Sequence, residues 1–235
     1  MTMLEIIQSF CRRTNITVPT SVIGTSDQQI LQLYSILEEE IDELSGRGSW
    51  QYLTYEATHT TVATESQGSI DDIATNNFRF IKNDTIWDRT ENLPVIVIDG
   101  PDWQAEKGFS ATSPRYRARI RTNQLISTPV PSAGNTWAFE YVTWNAILDN
   151  DGTTTKQVFS EDTDTLLLPD TIVKMGLRWR WKKEKGFEYA EDFRTYETMV
   201  ADALGREGMK TVLHQDRSER RTTPKVVVNQ GNWPL

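Results

Sequence analysis

Few residues of this chain have both the type and the grouping that chemistry requires. Two histidines occur, His59 and His214. Neither has the Cys-x-x-Cys or His-Glu-x-x-His companions of a metal site, so neither a metal nor another cofactor is expected. His59 sits in a β-branched, aromatic run and reads as a strand surface residue. The single cysteine, Cys11, falls on the apolar face of a helix. There it reads as an inert core thiol rather than a nucleophile, and alone it permits no intrachain disulfide. Carboxylates are plentiful: Glu161, Asp162 and Asp164 cluster ahead of a helix, and Asp71 adjoins Asp72. A glycosidase needs two such groups facing each other across a cleft, whereas acids near helix N-termini are favoured by the helix dipole. The structural reading is preferred. Gly46-Arg47-Gly48 is too short to cradle a phosphate and reads as a helix end followed by a turn. From Arg115 to Arg121, arginines alternate with larger residues. Such a strand can bind single-stranded nucleic acid; in an acidic chain it reads as a half-exposed strand paired with neighbouring acids. The expectation is a protein that is not an enzyme.

Composition points the same way. The 235 residues carry 33 acidic and 25 basic side chains, a net charge of -8. Phosphate attraction needs clustered Lys and Arg, so this balance argues against nucleic-acid binding and suits a surface past which DNA slides. No stretch approaches the roughly 20 apolar residues of a membrane span. The first residues mix charges with apolar side chains, unlike a signal peptide. A soluble protein made in a cytoplasm is expected. Eight tryptophans are a heavy aromatic load for a polar chain, and they suit interfaces as well as cores.

The elements that position these residues follow from periodicity. Leu4, Ile7, Phe10 and Cys11 predict a helix over about 3–13. Ser26 or Asp27 caps a second, running to about Ser45, with Ile30, Leu33, Tyr34, Leu37, Ile41 and Leu44 inward. Glu38, Glu39, Glu40, Asp42 and Glu43 form its acidic side. From Trp50 the texture turns to β-branched and aromatic runs at 52–62, 78–81, 85–88, 94–98, 116–121, 124–130 and 137–144, with a short helix near 101–107. Helix returns from Pro169 or Asp170 to about Lys185. Ile172, Met175, Gly176 and Trp179 line its stripe, with Val173, Leu177 and Trp181 beside it. A last helix runs from about Tyr189 to Arg206, with Phe193, Tyr196, Val200, Ala203 and Leu204 inward. The predicted fold class is α+β: a four-helix bundle with an antiparallel β lobe inserted between helix two and helix three. The predicted domains are 1–49 and 161–208 for the two halves of the helical lobe, 50–160 for the β lobe and 209–235 for an extended C-terminal arm.

That arm is chemically distinct. Residues 210–235 carry five basic and two acidic side chains on an otherwise acidic chain. Arg217, Arg220, Arg221 and Lys225 precede the apolar Val226, Val227 and Val228, and Trp233 stands near the end. A purely solvating tail has little use for valines and tryptophan; a segment that orders on a partner does.

Three stretches carry a resemblance: Ile81-Lys82-Asn83-Asp84-Thr85-Ile86-Trp87-Asp88-Arg89-Thr90, Ala138-Phe139-Glu140-Tyr141-Val142, and Trp179 through Phe193 to Glu197. Ser45-Gly46-Arg47-Gly48-Ser49-Trp50 fits the same place after the second helix. With these segments the chain resembles bacteriophage head-to-tail adaptor proteins, also called head completion or connector proteins, over most of residues 1–205. The resemblance implies a structural virion protein at the head-tail junction. It implies a ring, usually of twelve copies, that binds the portal protein ring, extends the DNA channel and presents a platform to tail or nozzle proteins. It also implies a C-terminal arm in portal crevices, for which Arg217, Arg220, Arg221, Lys225, Val226, Val227, Val228 and Trp233 are the candidates. Glu38, Glu39, Asp42 and Glu43 are the candidate channel lining, repelling DNA that passes without specific binding. The alternatives are a virion-associated cell-wall hydrolase with a carboxylate pair and a tail or tube subunit.

Overall fold

The structure, a computed structural model, describes residues 1–82, 84–108 and 115–207; the arm candidates and His214 lie outside the described residues. The elements in chain order are α1 (Met3–Thr14), α2 (Gln28–Gly46), β1 (Thr54–Thr60), β2 (Ser66–Ser69), α3 (Ile70–Ile73), β3 (Phe78–Ile81), β4 (Trp87–Asp88), β5 (Leu93–Pro94), β6 (Ile96–Val97), α4 (Gly100–Gly108), β7 (Arg117–Arg121), β8 (Gln124–Thr128), β9 (Thr136–Thr143), β10 (Ile147–Leu148), β11 (Thr155–Lys156), β12 (Thr165–Leu166), α5 (Asp170–Glu184) and α6 (Ala190–Glu207). The protein is thus mixed α+β, with six α-helices and several antiparallel strand pairings among the described residues. Two compact units divide it. Within the described residues, one is Met1–Thr54 with 142–207 and the other is Tyr55–Tyr141.

The first unit is built on helix contacts. Thr2 caps α1 and exchanges hydrogen bonds with Glu5 in a capping box, while Asp27 accepts from the Gln29 N–H at the start of α2. These side chains satisfy N–H groups that a helix start leaves unpaired. Helix α5 packs on α2, on α6 and on α1. Ile30, Leu33, Leu37, Ile41 and Leu44 of α2 meet Ile172, Val173 and Leu177 of α5 in one core. Trp50, fully buried, donates its Nε1–H to the Leu44 carbonyl at 2.8 Å and so closes the C-terminal end of α2. Val142, Ala146, Ile147 and Phe159 belong to this same core. Of these, Ile147 lies on a small antiparallel sheet in the order β11-β10-β12, and Val142 comes from the end of β9.

One contact shapes the helix layer. Glu40 does not stand on an exposed acidic side, as its run of acidic neighbours predicts. It is fully buried, and its Oε2 accepts from Arg180 Nε at 2.7 Å. Its carboxylate occupies the place where a side chain at Gly176 would be: a Cβ there would lie 2.1 Å from Glu40 Cδ. A mid-helix glycine costs about 1 kcal/mol relative to alanine, and here it lets α2 and α5 approach. Phe193, expected inward on α6, is 37% exposed and meets Trp179 in a T-shaped contact, ring centroids 5.0 Å apart.

The second unit holds two sheets. One has the order β1-β9-β4-β5, with β3 also on β9; the other has β2-β8-β7-β6. In the latter β7 and β8 pair antiparallel from Arg117 opposite Thr128 to Arg121 opposite Gln124. The lobe is not wholly antiparallel, however. β6 runs parallel to β7, with Ile96 opposite Arg117, because α4 and its flanks supply the crossover that a parallel pair requires. The predicted strand over 94–98 divides for a related reason. Leu93–Pro94 pairs with β4 in one sheet and Ile96–Val97 with β7 in the other. Asp88, fully buried, anchors this unit: Oδ1 accepts from the N–H groups of Thr90 and Glu91, and Oδ2 from Asn135 Nδ2 at 2.9 Å and Trp137 Nε1 at 3.0 Å. Each lone-pair direction is used, as a buried carboxylate requires.

The Gly176 contact yields a test. Gly176→Ala should destabilise the protein by about 1–3 kcal/mol in urea unfolding, through overpacking against a paired carboxylate. In a Glu40→Ala background the same change should be neutral or stabilising, because only the helix-propensity term of about 1 kcal/mol remains.

Candidate functional site

Two of the carboxylates that the sequence offers for catalysis, Asp162 and Asp164, hold the backbone. Asp162 Oδ1 accepts from the N–H groups of Val22 and Ile23, at 3.0 and 2.9 Å. Asp164, its side chain buried, accepts from the N–H groups of Ser160 and Glu161 and pairs with Lys156 Nζ at 2.8 Å. The carbonyls of Asp164 and Asp162 accept from Met3 and Leu4. The segment 160–165 therefore ties the start of α1 and the loop ahead of α2 to one place. Asp71 accepts from Asn123 Nδ2 at 2.7 Å across a strand connection. Cys11 is buried, and burial raises its thiol pKa, which suits the inert thiol expected of it. His59 is half-buried on β1 rather than a plain surface residue. Burial lowers its pKa, against the opposing effect of Gln67.

The acidic helix face is the next group to place. Glu43 is held by Arg47 and Arg180, and Arg47 continues the chain of charges to Glu197 on α6 at 2.6 Å while lying over the Tyr196 ring. Burial pushes Glu40 above its ordinary range, against Arg180 and Tyr196. Burial acts on Glu43 in the same sense, but Arg47 and Arg180 outweigh it and hold its carboxyl low. Glu38 lies beside the Tyr34 hydroxyl. Glu39 and Asp42 are exposed and have no ion pair among the described residues. Of the proposed lining, then, Glu43 is spoken for, and Glu39 and Asp42 stand exposed to solvent. In the arginine strand, Arg117 pairs with Glu106, as an acidic neighbour predicts, and Arg119 packs its guanidinium over Gly100.

Two surfaces of the first unit escaped the sequence reading. A groove of about 210 Å³ lies between α1 and α5, lined by Phe10, Arg13, Lys174, Arg178, Trp181 and Lys182. Its signal was present as a stripe, because residues four, seven and eight positions after Lys174 share a face of α5. A shallow hollow of about 200 Å³ joins Glu38, Ile41 and Asp42 of α2 to Ile147 and the 157–159 segment; Val158 there is 58% exposed. Phe187, at 56% exposed, and Tyr189 stand out at the α5–α6 turn.

Asp164 makes a stability prediction. Burial alone would raise its carboxyl, but Lys156 and the Glu161 and Ser160 N–H groups outweigh burial and hold it below the usual carboxylate range. A depressed folded-state pKa stabilises above the unfolded value of about 4 and loses that contribution as pH falls. Asp164→Asn should cost about 1–3 kcal/mol at pH 7. In urea unfolding, the gap to the wild type should shrink towards zero at the acid end.

Comparison with known proteins completes the site. No curated protein matches the chain. A model of the family described as SU10 adaptor protein matches residues 1–228. Almost the whole sequence is covered, including the helices, the three sheets and most of the C-terminal segment. The chain belongs to the SU10 adaptor protein family, a phage head-tail adaptor family whose members are structural components of the virion.

Proposed function

We propose that this protein is a ring-forming head-to-tail adaptor, acting by assembly and not by catalysis. It binds the portal ring at the head-tail junction, extends the DNA channel and carries the platform for tail or nozzle proteins. The family match over residues 1–228 carries this reading. In it, α1, α2, α5 and α6 act as a four-helix bundle and the β unit is a lobe inserted between α2 and α5. Twelve copies form the ring. The basic, valine-bearing C-terminal arm with Arg217, Arg220, Arg221, Lys225, Val226, Val227, Val228 and Trp233 seats in the portal.

The net charge of -8 supports a channel that DNA leaves easily, since a wall of the same sign as phosphate raises no sticking barrier. Among the α2 carboxylates, Glu39 is the one best suited to face such a channel: it is exposed and has no ion pair among the described residues. Glu43 is partly neutralised by its arginines. Glu38 and Asp42 flank an apolar hollow instead.

Mixing the purified chain with portal rings and imaging the product by electron microscopy tests the reading. The expected product is a second ring stacked beneath the portal and absent without the chain; no association overturns it. Deleting residues 211–235 should weaken portal binding by about a hundredfold or more, the loss expected when an arm's anchoring residues go. Unchanged affinity removes the arm from the account.

A further inference from the structure

The groove between α1 and α5 has the wrong sign for its chain. Four basic side chains border it, namely Arg13, Lys174, Arg178 and Lys182, on a protein of net charge -8. Arg178 and Lys182 share one carboxylate, Asp192, at 3.3 and 2.5 Å. Lys174 Nζ rests on the Met1 sulfur, and Arg13 has no ion pair among the described residues. Positive charge is therefore left over. The floor is apolar: Phe10 meets Trp181 edge to face, ring centroids 5.6 Å apart. A wide aromatic floor inside a basic rim is the composition of an interface anchor, and it fits an acidic surface that also offers an aliphatic knob.

The same unit carries such a surface. Val158, the exposed residue of the hollow described above, stands at its lip beside Glu38 and Asp42, with Ile41, Ile147 and Phe159 buried beneath. The two surfaces face away from one another. At about 100° per residue, Gly176 and Arg180 point from α5 towards Glu40 and Glu43 of α2. Lys174, Arg178 and Trp181 then fall on the opposite side of α5. On α2, Glu38 and Asp42 likewise fall opposite Glu40. Complementary surfaces on opposite flanks cannot meet within one copy. Between copies they make a heterologous contact, the kind that repeats head to tail and closes into a ring.

Resting on the ring reading above, the geometry points to this contact as the joint between neighbouring copies. The Val158 knob of one copy, with Glu38 and Asp42, seats on the Phe10–Trp181 floor of the next, inside its basic rim. Opposite charge sets the register, and the apolar centre supplies affinity.

Charge reversal tests it with full-length chains, using ring formation on the portal as the readout. One variant carries Arg13→Glu and Lys174→Glu; the other carries Glu38→Lys and Asp42→Lys. Thermal unfolding checks that both fold. Each alone should weaken association between copies by at least about tenfold. An equimolar mixture should restore rings, because each reversed groove then meets a reversed knob and each native groove a native one. Variants that form rings as readily as the wild type, or a mixture that rescues nothing, overturn the contact and leave the ring reading standing. A wild-type chain that forms no ring on the portal overturns both.

Discussion

The carboxylate of Glu40 lies between two helices with no access to water, and the arrangement of the helical unit follows from what that costs. A buried carboxylate must be paired or it drives the structure apart. Arg180 pairs it from α5, Gly176 leaves the space its head group fills, and Tyr196 of α6 faces it. Arg180 reaches on to Glu43, and Arg47 links Glu43 to Glu197. One group thereby sets how closely α2 meets α5 and draws α6 into the same network. A charged pair specifies one register, which is the best-attested use of buried polar groups.

The same economy of charge runs through the molecule. Asp88, Asp162 and Asp164 each satisfy backbone N–H groups that turns and loops leave unpaired. Residues that could be taken for catalytic acids are in this way components of the scaffold. What remains for the exterior is a separated distribution of sign: a basic groove on one flank of the helix layer, acids and a valine on the other. Such a division suits an adaptor, because surfaces of opposite sign discriminate between right and wrong partners.

Much of the scaffold was legible in the sequence. The 3.6-residue period placed α1, α2, α5 and α6 to within a residue or two, helped by Asp27 as the cap of α2 and by Gly186 between α5 and α6; the Thr2 cap of α1 went unread. Strands β3, β7, β8 and β9 followed from β-branched and aromatic runs. The two-residue strands β10, β11 and β12 and the one-turn helix α3 were not legible, as elements so short have no period to read. Nor was the burial of Glu40. It stands among exposed acids, and its partners Gly176 and Arg180 are more than 130 positions away. The parallel pairing of β6 with β7 was hidden for the same reason: local pattern marks a strand but not its neighbour. The basic stripe of α5 was visible as spacing. Its meaning required Phe10 and Arg13 to arrive from α1.

A double-mutant cycle on Glu40→Gln and Arg180→Met, followed by urea unfolding at neutral pH, measures the interaction on which this account rests most directly. Each single change should cost about 3 kcal/mol, since it strands a buried partner, and the two together should cost about 2–3 kcal/mol less than their sum. Additivity to within about 0.5 kcal/mol would contradict it, and would mean that α2 and α5 are held by their apolar contacts alone.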